Sequence, residues 1–214
     1  MIDLIDFGAG NLQSALHAFQ VLQGTKTAGE QPVRLIEKPD EIRSGTKALI
    51  LPGDGSFKSA YDRLKQNGFA EYFKSEDFRK SKLPLLGICV GFQLLFDHSE
   101  EDGGSEGLGL LRGKVRRFSK GDLKIPHMGW NQCRPAKASP LLEGIKDNDF
   151  FYFVHSYYAE IDASESSSLL LGSDYGIPFP AAVEKGLVSG FQFHPEKSHR
   201  AGWRILENFV KSLK

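Results

Sequence analysis

Cysteine is scarce in this chain. Of 214 residues only Cys89 and Cys133 are cysteines, and they stand 44 positions apart. That excludes a disulfide framework and a C-x-x-C metal site, and it suits a reducing compartment. Excess charge is missing too. The 27 basic and 27 acidic residues leave a net charge of zero, so nothing draws the chain to a nucleic-acid backbone. No apolar stretch approaches the ~18–20 residues of a membrane span. The opening Met1-Ile2-Asp3-Leu4-Ile5-Asp6 has no positively charged region, so no signal peptide is expected. A phosphate-binding loop is also lacking. Gly8-Ala9-Gly10-Asn11 falls short of G-x-G-x-x-G because Gln13 stands at the last glycine position, and no G-K-[ST] follows. The expectation is a cytoplasmic globular protein, one domain over residues 1–214, with no nucleic-acid or membrane partner and no cofactor or metal.

What is present is a βα rhythm. Met1 to Asp6, Val33 to Glu37, Lys47 to Leu51 and Leu83 to Ile88 read as strands. Asn11 to Gln23, Ser56 to Gln66, Phe69 to Lys80 and a run from Val90 to Phe96 read as helices. This order predicts a three-layer α/β/α fold with a mainly parallel, flavodoxin-like central sheet. The second half is richer in short strands: Lys114 to Phe118, Asp149 to His155, Leu169 to Ser173, Ala181 to Glu184 and Leu187 to Phe193. Lys185-Gly186 turns the last hairpin. A closing helix over about Arg200 to Leu213 carries Trp203, Leu206, Phe209 and Val210 at core spacing. Glu100 to Gly109 reads as a loop over a pocket.

Chemistry concentrates at Gly87-Ile88-Cys89-Val90-Gly91. A side chain at a sharp strand-to-helix turn is thrust clear of both elements, and glycines two residues to either side let the backbones close in. The serine version of this device is the nucleophile elbow. Here the candidate nucleophile is a thiol. The helix N-terminus favours thiolate, and the Val90 N–H faces the place where an oxyanion would form. A base is needed, and His194 closes the run Leu187 to Phe193. Glu196 stands two residues on, on the same side of an extended segment, where it can orient the ring. Pro195 biases His194 toward that extended backbone. A third element, Pro52-Gly53-Asp54-Gly55, follows a buried strand, so an N–H from Gly53, Asp54 or Gly55 could be a second oxyanion donor.

Together G-x-C-x-G-x-Q at Gly87 to Gln93, F-H-P-E at Phe193 to Glu196 and P-G-x-G at Pro52 to Gly55 resemble the class I glutamine amidotransferases. The order loop, Cys, His, Glu matches as well. Pro126-His127-Met128-Gly129-Trp130-Asn131, Phe153-Val154-His155-Ser156-Tyr157-Tyr158, Gly8-Ala9-Gly10-Asn11 and His194-Pro195-Glu196-Lys197-Ser198 narrow the likeness to glutaminase subunits of imidazole glycerol phosphate synthase, across essentially the whole chain. The resemblance implies that Cys89, His194 and Glu196 form the catalytic triad. It implies that Gln93 and Glu101 hold the amino-acid end of L-glutamine, with Ser156 and Tyr157 as a neighbouring wall. It implies that Asn11, Trp130 and Lys197 face a partner, a (βα)8-barrel cyclase subunit that consumes the ammonia. Asp54 departs from the pattern, since that position is usually small or apolar. Its carboxylate is expected to face solvent, and the state of the second oxyanion donor stays open. Two other activities use the same motifs: an ammonia-supplying glutaminase for a different synthase, and a γ-glutamyl hydrolase. The hydrolase would have no use for P-H-M-G-W-N.

Overall fold

The computed structural model describes residues 1–8, 12–23, 32–119 and 123–213. Ala9, Gly10 and Asn11 of the opening glycine loop lie outside them, and so does the partner role expected of Asn11.

The chain runs β1 (Ile2–Ile5), α1 (Leu12–Gln23), β2 (Val33–Ile36), β3 (Ala48–Gly53), α2 (Phe57–Gln66), α3 (Phe69–Lys74), α4 (Glu76–Ser81), β4 (Leu85–Cys89) and α5 (Val90–Gln93). It continues β5 (Phe96–Ser99), β6 (Ser105–Glu106), β7 (Leu111–Arg117), β8 (His127–Pro135), β9 (Asp149–His155) and β10 (Tyr157–Ile161). It closes with β11 (Leu169–Asp174), β12 (Pro178–Lys185), β13 (Val188–Phe191) and α6 (His199–Ser212).

The main sheet has nine strands in the order β2-β1-β3-β4-β13-β12-β11-β8-β9. Its first five are parallel to one another, and from β13 onward each pairing is antiparallel. A four-stranded sheet, β10-β7-β5-β6, stands beside it. The sheet is flanked by two helix groups: α1 packs by α6, and α2 packs by α3, which in turn packs by α4. β3 and β4 are buried along their whole length, as the central strands of a covered parallel sheet must be.

Local chemistry explains the elements. Helix α2 starts at Ser56, whose hydroxyl accepts the Ser59 N–H. It buries Phe57, Ala60, Tyr61 and Leu64, a single stripe. The stretch Phe69 to Lys80 is two helices rather than one. Ser75 breaks it, donating its hydroxyl to the Tyr72 carbonyl and accepting the Phe78 N–H as the cap of α4. The helix after Cys89 stops at Gln93 instead of running to Phe96, because Phe96 enters β5. Glu100 to Gly109 is partly ordered as a turn at Glu101–Gly103 followed by β6.

The register places the site. β3 and β4 pair with Gly53 opposite Cys89, so the Pro52–Gly55 loop leaves the sheet beside the cysteine. β13 pairs with β4, with Phe191 opposite Ile88, and His194 emerges three residues later at the same edge. These are the carboxyl ends of parallel strands, where open α/β sheets bind their ligands.

Candidate active site

Cys89 has φ +55° and ψ −111°, a conformation that costs a non-glycine residue free energy and persists only where the surroundings enforce it. The enforcement is close packing. A Cβ on Gly91 would lie 1.8 Å from the Leu51 carbonyl oxygen, and one on Gly87 would lie 2.5 Å from the Gly91 oxygen. The elbow is jammed against β3, so strand, turn and helix have a single arrangement.

His194 is extended, at φ −93° and ψ 98°, and its Nδ1 lies 2.8 Å from Glu196 Oε1. Both side chains are almost wholly buried. Burial alone would push the His194 pKa down. The neighbouring Cys89 thiol and the Glu196 carboxylate outweigh it and lift the pKa to about 10, so the imidazolium is the favoured form. Nε2 of the ring and the second oxygen of Glu196 are buried without hydrogen-bond partners. Buried orphans are few in native proteins, and here two of them belong to one pair. Cys89 lies close enough to act on the ring, and catalytic contacts of this kind commonly tighten only when substrate arrives.

A third residue fixes this turn, one that the sequence motif contains but to which no role was given. The Ser198 hydroxyl accepts the Tyr152 N–H at 2.9 Å and donates to the His194 carbonyl at 2.6 Å. The His194 N–H donates to the Tyr152 carbonyl at 2.9 Å. Strand β9 is thereby clamped to the segment that carries His194. Only the spacing of Ser198 from His194 hinted at it.

A cavity of about 230 Å³ opens at Cys89, lined by Asp54, Gly55, Val90, Gln93, Glu101, Pro126 and the segment Val154 to Tyr157. It is smaller than the ~300–1,000 Å³ of drug-sized sites, which suits a single amino acid. The substrate residues expected from the sequence, Gln93, Glu101, Ser156 and Tyr157, all contribute to its wall. A larger hollow of about 560 Å³ beside α2 has neither cysteine nor histidine in its lining.

The polar groups of the cavity are already engaged. The Gln93 amide nitrogen donates to the Tyr157 carbonyl and to Gln192 Oε1, each at 3.0 Å. Both amide protons are thus consumed, and the donor role expected of Gln93 is closed in this arrangement. Its oxygen is what it can offer a ligand. Glu101 accepts the Phe57 N–H at 2.7 Å, a carboxylate at the first turn of α2. Burial raises its pKa, opposed by that bond and assisted by Asp102. Asp54 is exposed, but its carboxylate does not merely point to solvent: Oδ1 accepts the Gly55 N–H at 2.8 Å. One of the three candidate oxyanion donors is therefore occupied by a side chain of the same loop.

Of the residues expected to face a partner, Trp130 is 44% exposed and lies flat on His199, with ring centroids 4.8 Å apart. Lys197 is exposed in the turn after His194. Met128 and Phe150 are 62% and 50% exposed. Cys133 is buried in the core, and burial pushes its thiol pKa up. Among the described residues no group of His, Cys, Asp and Glu could hold a metal ion, and no helix is long and apolar enough to cross a membrane.

A strained buried cysteine, an imidazolium oriented by a carboxylate and an amino-acid-sized cavity suit nucleophilic attack on a carbonyl with an amine as leaving group. Comparison with known proteins agrees. A family model described as glutamine amidotransferase class-I matches residues 3–213. The chain is 47% identical over 212 residues to the imidazole glycerol phosphate synthase subunit HisH of Desulfitobacterium hafniense (strain Y51), covering 99% of this chain and 94% of that one. It is 44% identical over 214 residues to the subunit HisH of Bacillus licheniformis, covering 98% and 95%. A crystal structure of a glutamine amidotransferase shares the fold with a TM-score of 0.72 at 19% identity, covering 99% of this chain and 97% of that one. The chain belongs to the class I glutamine amidotransferases, among the HisH subunits of imidazole glycerol phosphate synthase.

Proposed function

We propose that the chain, as one domain over residues 1–214, hydrolyses L-glutamine to glutamate and ammonia with Cys89, His194 and Glu196 as its triad. The Cys89 thiol gives its proton to His194, and the resulting thiolate attacks the side-chain amide carbon of glutamine. The oxyanion is held by the Val90 N–H and by a donor of the Gly53–Gly55 loop. His194, as imidazolium, gives its proton to the departing nitrogen, which leaves as ammonia and a thioester remains. The now neutral ring takes a proton from water, the hydroxide adds to the thioester, and collapse expels the sulfur and releases glutamate. Glu196 holds the ring through Nδ1 and favours its charged form. Glu101 and the Gln93 oxygen accept from the α-ammonium of the substrate, and Ser156 and Tyr157 close the wall beside it.

Free ammonia is protonated in neutral water and ceases to be a nucleophile, so it must be handed on directly. Its consumer is a cyclase subunit with a (βα)8 barrel, which builds imidazole glycerol phosphate in the cytoplasm. Support comes from the exposed Met128, Trp130 and Phe150 on one face of β8 and β9, with Asn11 and Lys197 as polar contacts. Aromatic anchors of this kind dominate interfaces.

The observation that carries the reading is the 2.8 Å pairing of His194 with Glu196 at the edge where Cys89 stands at positive φ. The test is Cys89→Ala in complex with the cyclase partner captured from the native host. Glutamine-dependent synthesis should be lost while synthesis from supplied ammonia continues. Near-normal glutamine-dependent synthesis by the variant would reject the triad.

A further inference from the structure

The triad makes no use of His127 or Asn131, and neither lines the cavity. Yet they begin a hydrogen-bond chain that ends in its wall. His127 and His155 are cross-strand partners on β8 and β9, both buried. Asn131 Nδ2 lies 3.3 Å from His127 Nε2, His127 Nδ1 lies 2.9 Å from His155 Nε2, and His155 Nδ1 lies 2.8 Å from the Tyr157 carbonyl oxygen.

The protons can be placed by elimination. The Tyr157 carbonyl only accepts, so His155 carries its proton on Nδ1. A neutral His155 then presents a lone pair at Nε2, which requires the His127 proton on Nδ1. His127 Nε2 is left to accept from Asn131. Asn131 agrees independently: its nitrogen donates to the Asp174 carbonyl at 2.8 Å, and its oxygen accepts the Gln132 N–H at 2.8 Å. Both rings must be neutral, and burial lowers their pKa values to about 4 for His127 and about 3 for His155. The chain therefore has one polarity. At its far end the Tyr157 carbonyl also receives the Gln93 amide, four residues beyond Cys89.

Packing alone does not account for this pair. His127 is stacked between Phe153 and Tyr175, with centroids 4.9 and 4.0 Å away, and an apolar ring would fill that slot without the cost of desolvating two nitrogens.

We propose that His127 and His155 are positioning residues for glutamine hydrolysis: through their ordered chain from Asn131 to the Tyr157 carbonyl they set the Val154–Tyr157 wall and the Gln93 amide in the arrangement that binds the amino-acid end of glutamine. This rests on the cavity at Cys89 being the glutamine site.

The test uses the full chain and two alkylating probes. A chloroketone analogue of glutamine must occupy the cavity to reach Cys89, whereas iodoacetamide needs only the sulfur and His194. His127→Phe keeps the ring stack and removes both nitrogens. It should raise the half-saturating concentration of the chloroketone, and KM for glutamine, by about tenfold, the worth of one or two hydrogen bonds. The iodoacetamide rate and kcat should stay within about twofold. His127→Asn retains an N–H at the place of Nδ1 and should recover most of the loss. Unchanged half-saturation and KM in His127→Phe would overturn the proposal, and so would equal damage in His127→Phe and His127→Asn, which marks a packing role only. Should His127→Phe fail to fold, Asn131→Ala at the accessible end of the chain should still raise KM by about threefold, and no change there is equally decisive against it. Chloroketone labelling that persists in Cys89→Ala would instead reject the cavity as the glutamine site.

Discussion

At the scale of single residues, Asp54 is the side chain most at odds with the chemistry around it. Its carboxylate accepts the Gly55 N–H in a loop proposed to supply an N–H to the oxyanion, and it adds negative charge at the cavity edge. Asp54→Ala releases that donor and removes the charge. One oxyanion donor is worth about 10²–10³ in kcat elsewhere, and freeing one that still has to reorient should raise glutamine turnover of the isolated chain by about tenfold. Ammonia release without the partner measures it, and a rate unchanged or lower would show that Gly55 has no part in the reaction. The proposed triad was legible as a candidate because each member is a rare type in a telling local pattern: Cys89 between spaced glycines, and His194 one proline away from Glu196. The bond from Asp54 to its neighbour was not legible, because nothing in P-G-D-G distinguishes a carboxylate turned outward from one folded back on the loop.

At the scale of elements, the elbow is defined by what it excludes. A methyl group at position 91 would sit within 1.8 Å of a carbonyl oxygen of β3, backbone that cannot move without separating two central strands. Gly91→Ala should cost about 3 kcal/mol or more, at the upper end of overpacking penalties, seen as a lower urea midpoint. A variant of normal stability would mean that the elbow is looser than its contacts indicate. Strands and helices with the usual apolar face were read correctly from periodicity, among them β9, whose bounds agree, and α6 to within a residue. Strand β8 was read only as a motif, because its pattern is inverted. His127 and Cys133 are buried and Asn131 is half-buried, while Met128 and Trp130 face out. Period-two reasoning looks for apolar residues on the buried side, and here the outer side has them. The break between α3 and α4 carried a usable signal, a serine followed by two acidic residues, inside a run that otherwise looked continuous. The end of α5 carried none, since Phe92 to Phe96 is buried throughout, Gln93 included, and a run buried at every position shows no period.

At the scale of the whole molecule, two sets of histidines pull the pH dependence of stability in opposite directions. His127 and His155 have folded pKa values of about 4 and about 3, below the ordinary 6.5. The unfolded chain binds those protons first, so their contribution is complete above pH 6.5 and is lost as pH falls toward 4 and then 3. His194 is raised to about 10, so its contribution is complete below pH 6.5 and is lost as pH rises through 10. Urea midpoints taken across pH should therefore fall away on both sides of neutrality. In His127→Phe the acid limb should be shallower, because one of the two protons is gone. An acid limb as steep as that of the unaltered chain would mean that His127 titrates normally in the fold. The outer face of β8 and β9 gives a second prediction at this scale. If Trp130 anchors the proposed cyclase partner, Trp130→Ala should weaken their association by about 2 kcal/mol or more, as truncation of a central aromatic anchor does, measured by titration calorimetry. Affinity within a few tenths of a kcal/mol would place the partner elsewhere.

Strands β8 and β9 present unlike chemistry on their two sides, with residues directly opposite in the ladder falling on the same side. Length in this segment is therefore constrained as tightly as identity. One residue inserted between His127 and Trp130 would leave the composition nearly untouched, yet it would swing the indole toward the interior or an imidazole into water. Homologous chains should therefore differ in which residues they place here far more readily than in how many.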